Sequence, residues 1–144
     1  MSDAPYPVPD PIGYLTGRWQ LDRRMTDAAA GLTGTFTGVG EFVPAPGGLD
    51  YAERGELTFG PHHGPAWRRL RYRSDGELVR VEFDDGRFFH SLDLRDGAWS
   101  VTHPCRADGY AGEFRVIAAD RWTQDWNVTG PAKDLHLRTT FTRR

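Results

Sequence analysis

Two histidines, His90 and His103, flank an Asp-Gly dipeptide in the stretch RFFHSLDLRDGAWSVTHPC, residues 87–105. Asp-Gly with alternating apolar and polar residues on both sides is a strong hairpin signal, and a two-residue turn at Asp96-Gly97 sets the two imidazoles directly opposite each other. Opposed residues have Cβ atoms about 5 Å apart, so the rings could share a proton, a water, a metal ion or a ligand group. Two readings follow: a structural network in which each ring bonds a neighbour, or acid/base work and ligand contact with Tyr110 as a third catalytic group if the protein is an enzyme. Cys105 lies two residues beyond His103 and would complete a zinc set. Pro104 disturbs the strand between them, however, so the expectation is no metal and an inert, apolar role for the thiol. Either histidine could also serve a haem as axial ligand, which stays open as an alternative.

A second group is Arg23, Glu53, Arg68 and Tyr72. A guanidinium fork matches the two oxygens of a carboxylate and a tyrosine hydroxyl can add a third contact; the alternative is an Arg-Glu pair that braces the fold. Lys133 and Tyr110 fall near one end of their strands, where Lys133 either snorkels into water or steers an anion inward. The pair His62-His63, inside GPHHGP, reads as a solvated loop, and His136 as outward-facing.

The elements that must position these groups are strands. No window keeps a 3.6-residue apolar period, whereas two-residue alternation recurs along the chain. Asp-Gly dipeptides at 75-76, 85-86, 96-97 and 108-109 mark an antiparallel meander at spacings of 10, 11 and 12 residues. Read as two-residue turns, they pair Tyr72 with Val79, Leu70 with Val81, Val81 with His90, Phe83 with Phe88, Leu92 with Val101, His90 with His103, and His103 with Phe114. One apolar face then stays in phase over five strands. A loop at 118–120 and a turn at Pro131-Ala132 continue the phase, bringing Trp122, Gln124, Trp126 and Val128, then Lys133, Leu135, Leu137, Thr139 and Phe141 to the same face. Upstream, Gly17 to Asp27, Leu32 to Val43 and Gly47 to Phe59 form three more strands. That makes ten sequential strands, and a sheet this wide closes to remove its edges. The fold class is therefore all-β, an up-and-down antiparallel barrel of about ten strands in one domain over residues 1–144, with 1–13 as an N-terminal extension. Gly34, Gly38 and Gly40 permit the bending that closure needs.

Bulk properties narrow the function. The chain of 144 residues is 38% hydrophobic and 26% charged, with 18 basic against 20 acidic residues. Scattered and balanced charge argues against nucleic acid, and the absence of a signal-like start or a run of about 18 apolar residues predicts a cytoplasmic protein that does not engage the membrane. A single cysteine excludes an internal disulfide and agrees with a reducing compartment. Charged outward faces such as Arg69, Arg71 and Arg73 oppose a large apolar interface, and a homodimer stays open.

The run PDPIGYLTGRW, residues 9–19, resembles the start of a calycin barrel, in which a short turn or helix plugs the base and Gly-x-Trp begins the first strand. HPC at 103–105, DGYAG at 108–112 and WNVTGPAKD at 126–134 resemble an uncharacterised bacterial family of lipocalin-like domains, over almost the whole chain from Tyr14. The resemblance implies a barrel with a cavity and no reaction. Ten strands depart from the eight of true lipocalins and lie closer to fatty-acid-binding proteins and nitrobindin-like haem barrels.

The inward face combines an aromatic wall with polar side chains whose burial without partners costs about 1–3 kcal/mol each. The expected function is binding of a small, largely apolar molecule with a polar or acidic group, and the expected ligand-binding residues are Arg23, Glu53, Arg68, Tyr72, Phe88, His90, Trp99, His103, Tyr110, Phe114, Gln124, Trp126 and Lys133. The alternatives are a cofactor-independent acid/base enzyme using His90, His103 and Tyr110, acting as isomerase, cyclase, dehydratase or hydrolase, and a haem-binding barrel.

Overall fold

A computed structural model describes residues 4–144, apart from the side chain of Cys105; the thiol's expected role thus lies outside the described residues. A helix, α1 (Pro11–Leu15), precedes ten strands: β1 (Gly17–Asp27), β2 (Leu32–Ala45), β3 (Gly48–Phe59), β4 (His62–Asp75), β5 (Leu78–Phe83), β6 (Phe88–Leu92), β7 (Ala98–Cys105), β8 (Asp108–Ala118), β9 (Arg121–Gly130) and β10 (Lys133–Arg143). They form one antiparallel sheet in the order β6-β5-β4-β3-β2-β1-β10-β9-β8-β7. Pairing of β1 with β10, Trp19 opposite Arg143 through Asp27 opposite Leu135, curls the sheet into a nearly closed barrel. Among the described residues no helix is long and apolar enough to cross a membrane.

The opening in the barrel lies where the hairpin signal is strongest. Among the described residues no ladder joins β6 to β7, and His103 pairs with Tyr110 on β8, not with His90. The backbone groups at this turn are engaged elsewhere. Val8 N–H donates to Arg95 O at 3.0 Å, Tyr6 N–H to Val116 O at 2.9 Å, and Val116 N–H to Gly97 O at 2.8 Å. The N-terminal extension is thus a strap beside the 95–97 turn, and a Cβ at Gly97 would overlap the Tyr6 carbonyl oxygen. A side chain bridges the seam instead: Trp99 Nε1 on β7 donates to Ser91 O on β6 at 2.8 Å, a carbonyl that also accepts from His90 Nδ1 within β6 at 2.9 Å. Phe89 lies edge-on to both histidine rings, 4.7 Å from His90 and 5.6 Å from His103 by centroid.

Three other expected registers shift, each for a local reason. At 75–78, Asp75 pairs with Leu78, so Tyr72 faces Val81 and Leu70 faces Phe83. Gly76 has φ 63 and takes the first central position of the turn, as a type II′ turn requires. At 83–87 the loop holds three residues, closed by Gly86 N–H to Phe83 O and Phe83 N–H to Arg87 O, both 2.9 Å, with Gly86 left-handed at φ 88. The extra residue becomes a bulge between Val81 and Glu82 on one strand and His90 and Phe88 on the other. Bulging sends Phe88 outward, 43% exposed, and turns Phe89 inward, 8% exposed. At 105–108 the turn is Arg106-Ala107, with Arg106 at φ 59, so that Val101 faces Gly112 and Trp99 faces Phe114. The GPHHGP loop shrinks to Gly60-Pro61: His62 and His63 begin β4, exposed, with His63 Nδ1 2.9 Å from Thr58 Oγ1.

The three N-terminal strands keep the expected inward set of Trp19, Leu21, Arg23, Phe36, Phe42, Tyr51 and Glu53. Gly38 and Gly55 face each other across β2 and β3, and a Cβ on either would overlap a carbonyl oxygen of the opposite strand, Arg54 or Thr37. The helix plugs one end. Leu15 is fully buried and its carbonyl accepts Trp19 Nε1–H at 2.8 Å, above a stack of Trp122 on Phe141 at 3.9 Å. Side chains fill that half of the barrel, as expected of a small barrel core.

Two measurable consequences follow from this packing. Gly38→Ala forces two backbones apart and should destabilise the fold by roughly 1–3 kcal/mol in urea unfolding, whereas an ordinary Gly→Ala in a strand would stabilise. Burial drives the His90 pKa down to about 4, against the raising effect of its bond to Ser91 O, with His103 adding a smaller lowering. Between pH 6.5 and 4 the unfolded chain then binds a proton that the folded chain does not, so stability falls as pH drops through that window, by up to roughly 3 kcal/mol. His90→Phe should flatten the fall in melting temperature from pH 6.5 to about 5; parallel curves for the two proteins would show that His90 is not its source.

Candidate functional site

Two inward positions of β9 and β10 above the filled half, the apolar stack gives way to polar groups. Gln124 faces Thr139, and Thr139 also faces Arg23 on β1. Arg23 is buried and each of its nitrogens is engaged: Nε donates to Thr139 Oγ1 at 2.8 Å, Nη1 to Glu53 Oε2 at 2.7 Å and Nη2 to Glu53 Oε1 at 3.0 Å. Its guanidinium lies 5.0 Å over the Phe36 ring. To reach Glu53 on β3 it crosses β2, where Gly40 is the residue opposite Glu53.

Glu53 collects the charge of the interior. Beyond Arg23 it accepts from the Tyr51 hydroxyl at 2.6 Å, and Arg68 Nε lies 3.4 Å from Oε1. Burial alone would raise its pKa, but Arg68 and Arg23 outweigh burial and hold it at about 2. Burial pushes the Tyr51 and Tyr72 hydroxyls up, which keeps both protonated. The side chain of Arg68 is 44% exposed, since β5 ends opposite Leu70 and leaves the inner face of β4 uncovered beyond it.

Above this polar floor is a cavity of about 240 Å³. Phe89 and Trp126, stacked at 5.2 Å, Val128, Leu135 and Leu137 make its apolar wall. Arg23, Arg68, Gln124 and Thr139 line its floor, while Tyr110 and Lys133 stand at the rim. Trp126 lies over Gly112, where a Cβ would come within 2.7 Å of the indole. Its Nε1 donates to Gln124 Oε1 at 3.2 Å, which leaves the Gln124 amide hydrogens facing the cavity. Lys133 Nζ is paired with Asp108 Oδ2 at 3.0 Å, so it is not a lone cation at the mouth. A larger groove of about 590 Å³, bordered by the exposed Arg18–Glu41 pair, runs past Val39, Arg54 and Trp67 and also reaches Glu53 and Arg68.

Of the residues expected from sequence, Arg23, Arg68, Tyr110, Gln124, Trp126 and Lys133 converge on the cavity, and Glu53 sits directly behind its arginines. The others do not. Phe88 points outward beneath Arg80, whose guanidinium is 4.6 Å above its ring. Tyr72 belongs to the core against Phe42, and Phe114 packs between His90 and Trp122. Trp99 ties the seam, His90 is buried behind Phe89, and His103 rests half-buried against Tyr110 at 6.1 Å. Neither histidine is among the residues that line the cavity. His136 faces outward, as expected, with Nε2 2.8 Å from Asp125 Oδ1. Phe89 escaped the sequence reading because of the bulge; the Asp84-Asp85-Gly86 run, read as a three-residue loop, is the signal that would have found it. Leu137 and Thr139 have the right phase, but their height along the barrel decides that they meet the cavity.

The fold is shared with a solved structure of low sequence identity. A crystal structure of a protein of unknown function from the DUF3598 family of Nostoc punctiforme superposes with a TM-score of 0.66 at 15% identity, covering 100% of this chain and 52% of that one. The chain thus spans about half the length of that neighbour. A redesigned β-barrel, mFAP0, bound to DFHBI, matches with a TM-score of 0.48 at 19% identity over 90% of this chain and 99% of its own. A fluorescence-activating β-barrel designed de novo gives 0.47 at 14% identity, over 94% of this chain and 98% of its own. No curated protein matches the sequence. A model described as a family of unknown function, DUF6314, matches residues 15–143, and the chain belongs to that family.

Proposed function

We propose that this barrel binds a small, largely apolar molecule carrying a polar or acidic group, in the cavity above Gln124 and Thr139. The observation that carries this reading is the make-up of the cavity: one apolar wall from β6, β9 and β10, and a few polar groups converging from β1, β4 and β9. Convergent polar groups in a concave apolar setting are the usual composition of a small-molecule site. Its size, about 240 Å³, lies below the ~300–1,000 Å³ typical of drug-sized sites and suits a ring-sized or short-chain ligand. The rigid floor supports this use. Arg23, Thr139 and Glu53 hold one another, so binding need not order them, which limits the entropy cost.

The test is a panel of ring-sized and short-chain molecules, charged and neutral, followed by amide and indole NMR shifts. Members that bind should move the Trp126 indole N–H and the Gln124 side-chain amide, and Leu135→Trp, which fills the cavity from β10, should abolish those shifts while the variant stays folded. Binding that survives Leu135→Trp, or a panel that moves no signal of the cavity, would contradict the reading.

A further inference from the structure

Resting on that reading of the cavity, we infer that its ligand is a monocarboxylate, held with the carboxylate inward on Arg68 and Gln124 and the hydrocarbon against Trp126 and Leu135. The argument is an inventory of hydrogen-bonding groups. The polar groups at the cavity floor, Arg68, Gln124 and Thr139, all have N–H or O–H groups to offer. Arg68 Nε lies 3.4 Å from Glu53 Oε1, and neither of its Nη groups makes a hydrogen bond among the described residues. Gln124 presents its amide hydrogens, since its oxygen is taken by Trp126. The Thr139 oxygen accepts from Arg23, so its own proton is available to donate. The one carboxylate, Glu53, already receives Arg23 twice and Tyr51 once, with Arg68 beside it. A site rich in donors and poor in acceptors selects an acceptor-rich head group.

Charge sets the valence. Arg23 and Arg68 carry two positive charges against the single negative charge of Glu53, while the neighbouring tyrosines stay neutral and Lys133 at the rim is offset by Asp108. One positive charge is left in a half-buried position, and a singly charged anion balances it. A dianion would leave the interior with an excess negative charge, which burial penalises. Geometry assigns the two arginines different work. Arg23 is buried with each of its three nitrogens engaged, a brace between β1, β3 and β10; Arg68 is accessible, with free donors in a planar fork suited to two oxygens.

Matched series test the inference on the intact protein: benzoate, benzyl alcohol, benzylamine and phenylphosphonate, with hexanoate, hexanol and hexylamine beside them, titrated by NMR or calorimetry. The expected result is that at least one carboxylate binds about tenfold or more tightly than its own alcohol and amine, and more tightly than the phosphonate in the ring series. Arg68→Met, which keeps the apolar stem, should remove that preference, and Arg68→Lys should retain part of it. An alcohol or amine that binds as well as its carboxylate, a phosphonate that binds more tightly than benzoate, or a folded Arg68→Met that keeps the full preference would overturn the monocarboxylate assignment while leaving the cavity reading intact. If no member of either series shifts a cavity resonance, both fail together.

Discussion

A single buried carboxylate organises the open half of this barrel. Glu53 lies on β3, yet the groups that satisfy it come from β1, from its own strand and from β4, and through Arg23 the network reaches Thr139 on β10. An isolated carboxylate at this depth would cost several kcal/mol, so its neighbours are constrained to be donors. That constraint propagates. Arg23 reaches across β2 over the Phe36 ring, and Gly40, opposite Glu53, leaves room for the Tyr51 hydroxyl that serves the same carboxylate. Gly38 meets Gly55, where a Cβ on either would overlap a carbonyl oxygen of the opposite strand.

The barrel is divided along its axis. Toward α1, Trp19, Trp122, Phe42 and Phe141 fill the interior at core density, and the helix carbonyl at Leu15 satisfies the Trp19 indole. Beyond Gln124 and Thr139 the wall thins: Gly112 has no side chain, Trp126 lies flat against it, and β5 ends before it can cover the inner face at Arg68. A cavity results where strands are short or bare. The seam between β6 and β7 sits on this side of the molecule, bridged by Trp99 and flanked at its 95–97 turn by the N-terminal strap in place of a ladder. Closure by side chains gives up a row of backbone bonds. It also releases His103 from His90 and allows Phe89 to stand between them.

Much of this was legible residue by residue. Two-residue alternation placed Arg23, Glu53, Gln124 and Thr139 on the inner face, and the turn at Pro131-Ala132 and the loop at 118–120 held that phase through the last two strands. Three turn errors were harmless to it or local. The shifts at Gly76 and at Arg106 displace the pairing by an even number of residues, which preserves the face, whereas the bulge after Gly86 is odd and exchanges Phe88 for Phe89. The hairpin at Asp96-Gly97 failed differently. The turn that forms is centred one residue earlier, on Arg95-Asp96, with Gly97 N–H on Leu94 O at 2.8 Å, and residues far away in sequence, Val8 and Val116, take the Arg95 and Gly97 carbonyls.

What the amino-acid order determined alone was the class of fold, the number of strands and the face of nearly every side chain, because a period of two is local and survives errors in turn length. Membership of one face does not say which residues meet. Height along the barrel, the competition of the strap for the β6–β7 turn, and the place where β5 stops are long-range outcomes of closing the sheet. They separated the two histidines, assigned one arginine to the fold and left the other reachable, and put the cavity between β1, β4 and β10. Those distances arise only when strands remote in sequence are brought side by side, so tertiary structure alone could decide them.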